Sequence, residues 1–83
     1  MLDLRPNCEC CDKDLPNGAS DALICTFECT FCADCASTRL GGLCPNCGGD
    51  LVKRPTRPAR MLEKYPASTK RVRKDHPACR HVA

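Results

Sequence analysis

Four close cysteine pairs constrain this chain more than anything else in it: Cys8-x2-Cys11, Cys25-x3-Cys29, Cys32-x2-Cys35 and Cys44-x2-Cys47. They take up eight of the ten cysteines of an 83-residue chain. Two thiolates on a tight turn converge on one ion at about 2.3 Å, so such pairs form metal knuckles. A chain this short, with no tryptophan and Phe27, Phe31 and Tyr65 as its aromatics, builds a small core and needs a staple. Disulfides are the competing staple, and the compartment decides. The opening MLDLRPN has no basic segment followed by an apolar run, and no stretch approaches the ~18 apolar residues of a membrane span. The expectation is a cytoplasmic protein with no membrane contact, where disulfides do not persist and metal is favoured.

Two arrangements are open to the pairs: neighbours share an ion, or the first and third share one while the second and fourth share another. Cys29 and Cys32 lie three residues apart at the end of an expected strand, so interleaving stitches the two halves together there and closes longer loops. The expected sites are Cys8, Cys11, Cys32 and Cys35, and Cys25, Cys29, Cys44 and Cys47. Four thiolates suit zinc and leave no open position for water, so no catalytic residue is expected; His76 and His81 both fall near the C-terminus. Iron is the alternative metal, because Cys29-x2-Cys32-x2-Cys35 begins like a bacterial ferredoxin signature and Pro45 follows Cys44. There the fourth ligand arrives after eight residues, and Cys8 and Cys11 are left idle, so two zinc ions per chain are preferred. Cys10 is expected to be a free thiol on its loop and Cys79 a solvent-exposed one.

Charge divides the chain near Leu51. Residues 1–50 carry three cations against eight acids, a net −5, and residues 51–83 carry ten against two, a net +8. Residues 1–52 read as a zinc-binding head and residues 53–83 as a basic, Pro-rich tail, mostly irregular or disordered, because Pro55, Pro58, Pro66 and Pro77 interrupt it without apolar periodicity. The tail is expected to make few buried contacts; Met61, Leu62 and Tyr65 offer one amphipathic turn. Within the head, residues 22–27 and 29–31 have the β-branched and aromatic content of a short hairpin. Residues 33–40 read as one short helix, with Asp34 early, Arg39 late and Gly41-Gly42 as the stop. The fold class expected is a small zinc-stabilised α+β domain, with Leu4, Leu15, Ile24, Phe27, Phe31, Leu43 and Val52 among its core residues.

CTFECTFCADCA followed by CPNC resembles the cross-brace of RING fingers over about residues 8–48. In that resemblance Cys29 takes the usual histidine position and Phe31 the aromatic before the fifth ligand. More narrowly, LRPNCECCDKDLP through CPNCGGDLVKRP is similar to short bacterial proteins grouped as domain of unknown function 1272. The RING resemblance implies an apolar patch that docks a conjugating enzyme, but Cys10, Arg39 and Gly48 stand at its three positions. Function resides in the site, so the preferred reading is a monomeric, non-catalytic module that binds another protein. The alternatives are a ubiquitin-ligase-like factor, or nucleic-acid binding through the tail, where residues 70–74 are the densest basic run.

Overall fold

The architecture is that of a computed structural model describing residues 1–79; His81 lies outside the described residues. The hairpin forms where β-branched and aromatic residues flank the second cysteine pair. Strand β1 (Ala22–Ile24) pairs antiparallel with β2 (Thr30–Cys32), setting Ala22 opposite Cys32 and Ile24 opposite Thr30. The turn between them carries Cys25 and Cys29 and is closed by Cys25 N donating to Cys29 O at 3.3 Å. Helix α1 (Ala33–Thr38) follows without a break, with Cys32 as its N-cap, extended and accepting from Cys35 N. It stops two residues short of the expected Leu40. Gly41 (φ 61°) and Gly42 (φ 81°) adopt the left-handed conformation, and the N–H groups of Leu40 and Gly42 satisfy the carbonyls of Cys35 and Ala36.

A third strand, β3 (Val52–Lys53), adds to the free edge of β1, giving the order β2-β1-β3. It was not expected: two residues, both exposed, carry no alternation to read. Leu4, Leu15, Ala22, Ile24, Phe31 and Ala36 are buried, as are all the cysteines except Cys11 and Cys47, which are exposed, and Phe31 is wholly enclosed. Phe27, Leu43 and Val52 were expected in this core and are instead exposed, Phe27 to 71%. Phe27 sits in the turn between β1 and β2, with no partner strand above it.

The residue after β3 is a buried cation. Arg54 is 3% exposed, and its guanidinium donates to the carbonyls of Arg5 (2.8 Å), Leu15 (2.8 Å) and Pro16 (3.1 Å), while its own N–H bonds Ala22 O. One planar fork ties the N-terminal segment, the loop at residues 15–16 and the sheet. Beyond it, Asn17 and Arg57 clasp each other: Arg57 N donates to Asn17 Oδ1 and Asn17 Nδ2 to Arg57 O. Helix α2 (Ala59–Leu62) is a single turn entered through Pro58. Residues 66–76 carry no regular element, yet they run alongside the N-terminal segment in the same direction: Ser68 N donates to Leu4 O, Asn7 exchanges hydrogen bonds with Val72, and Lys74 N donates to Glu9 O. A 3-10 turn, Pro77–Cys79, ends the described chain. No helix among the described residues is long and apolar enough to cross a membrane.

Candidate metal centre

Two of the knuckles are built alike. Cys8 N donates to Lys13 O and Asp12 N to Cys8 O; Cys44 N donates to Gly49 O and Gly48 N to Cys44 O. In each, the residue after the second cysteine is left-handed, Asp12 at φ 65° and Gly48 at φ 76°, and each is bracketed by a single antiparallel bridge, Asn7 with Asp14 and Leu43 with Asp50. Glycine takes this conformation freely; Asp12 is held there by Asn7 Nδ2, 2.8 Å from its Oδ1.

The knuckles bring their thiols into two groups. Cys8, Cys11, Cys32 and Cys35 have sulfurs all within 4.8 Å of one another, and Cys25, Cys44 and Cys47 form a second group on the same criterion. The first and third pairs therefore meet, and so do the second and fourth, except that Cys29 stands just outside its group. The Cys29 sulfur instead accepts from Asn46 Nδ2 at 3.3 Å. The three cysteines of the ferredoxin-like run do not share a site, since Cys32 and Cys35 join Cys8 while Cys29 lies near Cys25.

The donor set fits a thiophilic ion. Cys11 and Cys32 sulfurs are 3.7 Å apart, close to the ~3.8 Å edge of a tetrahedron of thiolates bonded at about 2.3 Å. Backbone N–H groups point at the sulfurs: Phe27 N at Cys25 (3.4 Å), Cys35 N at Cys32 (3.5 Å), Asn46 N at Cys44 (3.4 Å) and Gly49 N at Cys47 (3.4 Å). Such donors favour thiolate over thiol. Crowding works the other way. Burial, reinforced by Cys32, Cys8 and Cys11, pushes Cys35 far up, and burial pushes Cys32 up as well. Burial lifts Cys29 to about 11 despite the Asn46 hydrogen bond. Burial also opposes ionisation of Cys11 and Cys25, but the N–H groups of Lys13 and of Phe27, with neighbouring thiols, bring both below the ordinary thiol value. Cys11 and Cys25 thus ionise more readily while Cys29, Cys32 and Cys35 resist, which is the like-charge problem a dication removes.

Beside the clusters lies a buried carboxylate. Glu9 is 2% exposed; its Oε2 accepts from Asn46 Nδ2 and is hydrogen-bonded to His76 Nε2, each at 2.7 Å, while Arg5 stands 3.5 Å from Oε1. The His76 ring tilts against Phe31 with centroids 6.2 Å apart. Asn46 thereby links Glu9 to the second cluster, and His76 links it to the tail. Neither Glu9 nor Arg54 was singled out from the sequence. Their signals there are those of ordinary surface charges, and burial alone distinguishes them.

The remaining two cysteines depart from expectation. Cys10 is 2% exposed and Cys79 is 8% exposed, and the two are joined in a disulfide with Cα atoms 5.3 Å apart. The course of residues 68–76 along the N-terminal segment delivers Cys79 to Cys10, 69 positions away in sequence. Cys10 is therefore neither a free loop thiol nor part of an exposed patch.

Residues 1–57 match the family model described as "Protein of unknown function (DUF1272)". The chain is 76% identical over 74 residues to an uncharacterized protein of Rhizobium meliloti (strain 1021), covering 89% of this chain and 88% of that protein. No solved structure matches significantly. The family match takes in both thiol clusters, Glu9, Arg54 and the Asn17–Arg57 clasp, and the likeness to the bacterial relative is longer still, so the chain belongs to the DUF1272 family.

Proposed function

We propose that the chain is a cytoplasmic, monomeric, non-catalytic protein-interaction module held together by two zinc ions in a RING-like cross-brace. The observation that carries this is the interleaved convergence of the thiols, Cys8 and Cys11 with Cys32 and Cys35, and Cys25 with Cys44 and Cys47. A sulfur-only donor set with N–H groups aimed at it suits a structural zinc, which contributes binding energy to folding and performs no reaction of its own. Cys29 would complete the second site once Asn46 releases its sulfur to the ion.

A protein partner is supported by the apolar side chains left outside. Phe27 lies between Cys25 and Cys29, Leu43 precedes Cys44, and Val52 pairs with Ile24 just before Cys25. All three stand on segments that carry or adjoin the second cluster, and all are exposed. The ligase-like alternative loses support, because Cys10 stands where an exposed aliphatic residue is needed and is buried. The deciding experiment loads the full chain with zinc and uses it to capture partners. Phe27→Ala should keep both zincs and weaken capture at least about tenfold, in line with loss of an aromatic anchor. Capture unchanged by Phe27→Ala and Leu43→Ala would remove this surface from the proposal.

A further inference from the structure

We propose that Cys10–Cys79 is a thiol–disulfide exchange site, opened by a dithiol and closed by a peroxide, that fastens residues 68–79 onto the N-terminal segment and so holds the basic run at residues 70–74 in one fixed course along it. The metal clusters do not need this pair. Eight cysteines go to the two groups and their neighbour Cys29, and Cys10 and Cys79 are the two that remain, already bonded to each other.

The pair is also the firmest hold on the tail. Between residues 66 and 78 no residue is buried, and residues 66–76 form no helix or strand. Other attachments among the described residues include single backbone hydrogen bonds, the Asn7–Val72 exchange, the His76–Glu9 contact, Arg39 Nη1 donating to Cys79 O (2.9 Å), and Arg71 at the surface, donating to Asp12 O and paired with the carboxylates of Asp12 (3.1 Å) and Asp14 (2.7 Å). Surface pairs of this kind contribute little and weaken with salt. The covalent bond, closing nearly the whole chain, makes the arrangement persist.

Both cysteines lie in the cysteine-rich core, but Cys79 ends a three-residue 3-10 turn at the end of the described chain and is the less buried of the two, 8% exposed against 2%, which makes it the first point of attack. In reduction, one thiolate of a dithiol attacks Cys79 Sγ, the Cys10–Cys79 bond breaks, and Cys10 leaves as thiolate and takes a proton. The second thiol of the reagent then displaces Cys79, so the reagent leaves as its cyclic disulfide and both cysteines end as thiols. In closure, Cys79 thiolate attacks hydrogen peroxide to give a sulfenic acid and hydroxide. The Cys10 thiol then displaces the sulfenic oxygen, forming the S–S bond; the net products are the disulfide and two waters. Under a reducing cytoplasmic poise the pair rests open, and an oxidant closes it. Opening lets residues 68–79 leave the N-terminal segment and Arg71 part from Asp12 and Asp14.

Limited trypsin digestion of the full chain in excess zinc tests this, with one sample treated with dithiothreitol and the other with hydrogen peroxide. Cleavage after Arg71, Arg73 and Lys74 should be at least about tenfold faster in the reduced chain, as expected when local opening limits proteolysis. The oxidised digest should retain a Cys10–Cys79 crosslinked peptide. Cys79→Ser and Cys10→Ser should each be cut at the fast rate under both conditions while binding as many zincs as the unsubstituted chain. Equal cleavage rates in the two states, or Cys10 and Cys79 both open to alkylation after peroxide, would overturn the proposal. So would an additional zinc bound by the reduced chain and lost in Cys79→Ser, which would make the pair metal ligands. The number of zincs in the unsubstituted chain tests the two-zinc reading separately, so the failure of either is distinguishable.

Discussion

Arg54 shows how far a single residue's role can lie from its sequence context. It stands among Lys53, Pro55 and Arg57, a run that reads as solvated tail, yet its guanidinium is enclosed by three carbonyls, with no carboxylate partner among the described residues. Burial pulls its pKa below the ordinary value, although an arginine stays charged. Arg54→Ala would take the side-chain donor from the carbonyls of Arg5 and Leu15, while Pro16 O keeps the Ala19 N–H, and should lower stability by about 2–4 kcal/mol in chemical denaturation. Arg54→Lys should recover little, since a single ammonium cannot present the fork that reaches all three. An Arg54→Ala chain as stable as the parent would show that the three segments hold together without it. Gly48 makes the complementary case. Its φ of 76°, with no described atom within 4 Å of where an alanine Cβ would stand, means that Gly48→Ala meets a backbone cost and no clash, about 1 kcal/mol, read as a lower unfolding midpoint.

At the scale of elements, the cysteine spacing carried most of what could be read ahead of the structure. A pair two residues apart implies a tight turn, and the turns at Cys8 and Cys44 share their hydrogen bonds and their left-handed residue. The hairpin and α1 were legible because β-branched residues, Asp34 and the Gly41-Gly42 stop are local signals. β3 was not, because a two-residue strand exists only through its pairing with β1. Phe27, Leu43 and Val52 were misplaced for a related reason: apolar identity marks candidates for burial, but their places in a turn, beside a knuckle and in the exposed strand β3 decide that they are left out. The shared architecture of the two knuckles leads to a test. Cys11→Ser should lose the first metal and leave the second bound, whereas Cys47→Ser should do the reverse, each seen as one metal per chain by native mass spectrometry. Loss of both metals from Cys11→Ser would mean that the β2–α1 junction, where Cys29 and Cys32 feed different groups, makes the sites inseparable.

For the whole molecule, the charge division suggested an acidic head trailing a basic tail, and the structure turns three of the tail's arginines back toward the head. Arg54 enters its interior, Arg57 donates to Leu2 O and Tyr65 O, and Arg71 meets Asp12 and Asp14. Net charge states that two segments attract but not where the chain lies. The lie of residues 68–76 depends on Asn7, Glu9 and Cys10, none of which signals a tail contact locally. Removing residues 58–83 should therefore keep every cluster cysteine and both metals but lower stability, because it uncovers Glu9 and Cys10; an unchanged denaturation midpoint would show the tail to be dispensable. The central claim concerns the pairing of thiols across the chain. A cadmium–proton correlation spectrum of the cadmium-loaded protein should contain two metal signals, one coupled to the β-protons of Cys8, Cys11, Cys32 and Cys35 and the other to those of Cys25, Cys29, Cys44 and Cys47. A signal joining Cys8 and Cys11 to Cys25 and Cys29, or a single signal per chain, would contradict it.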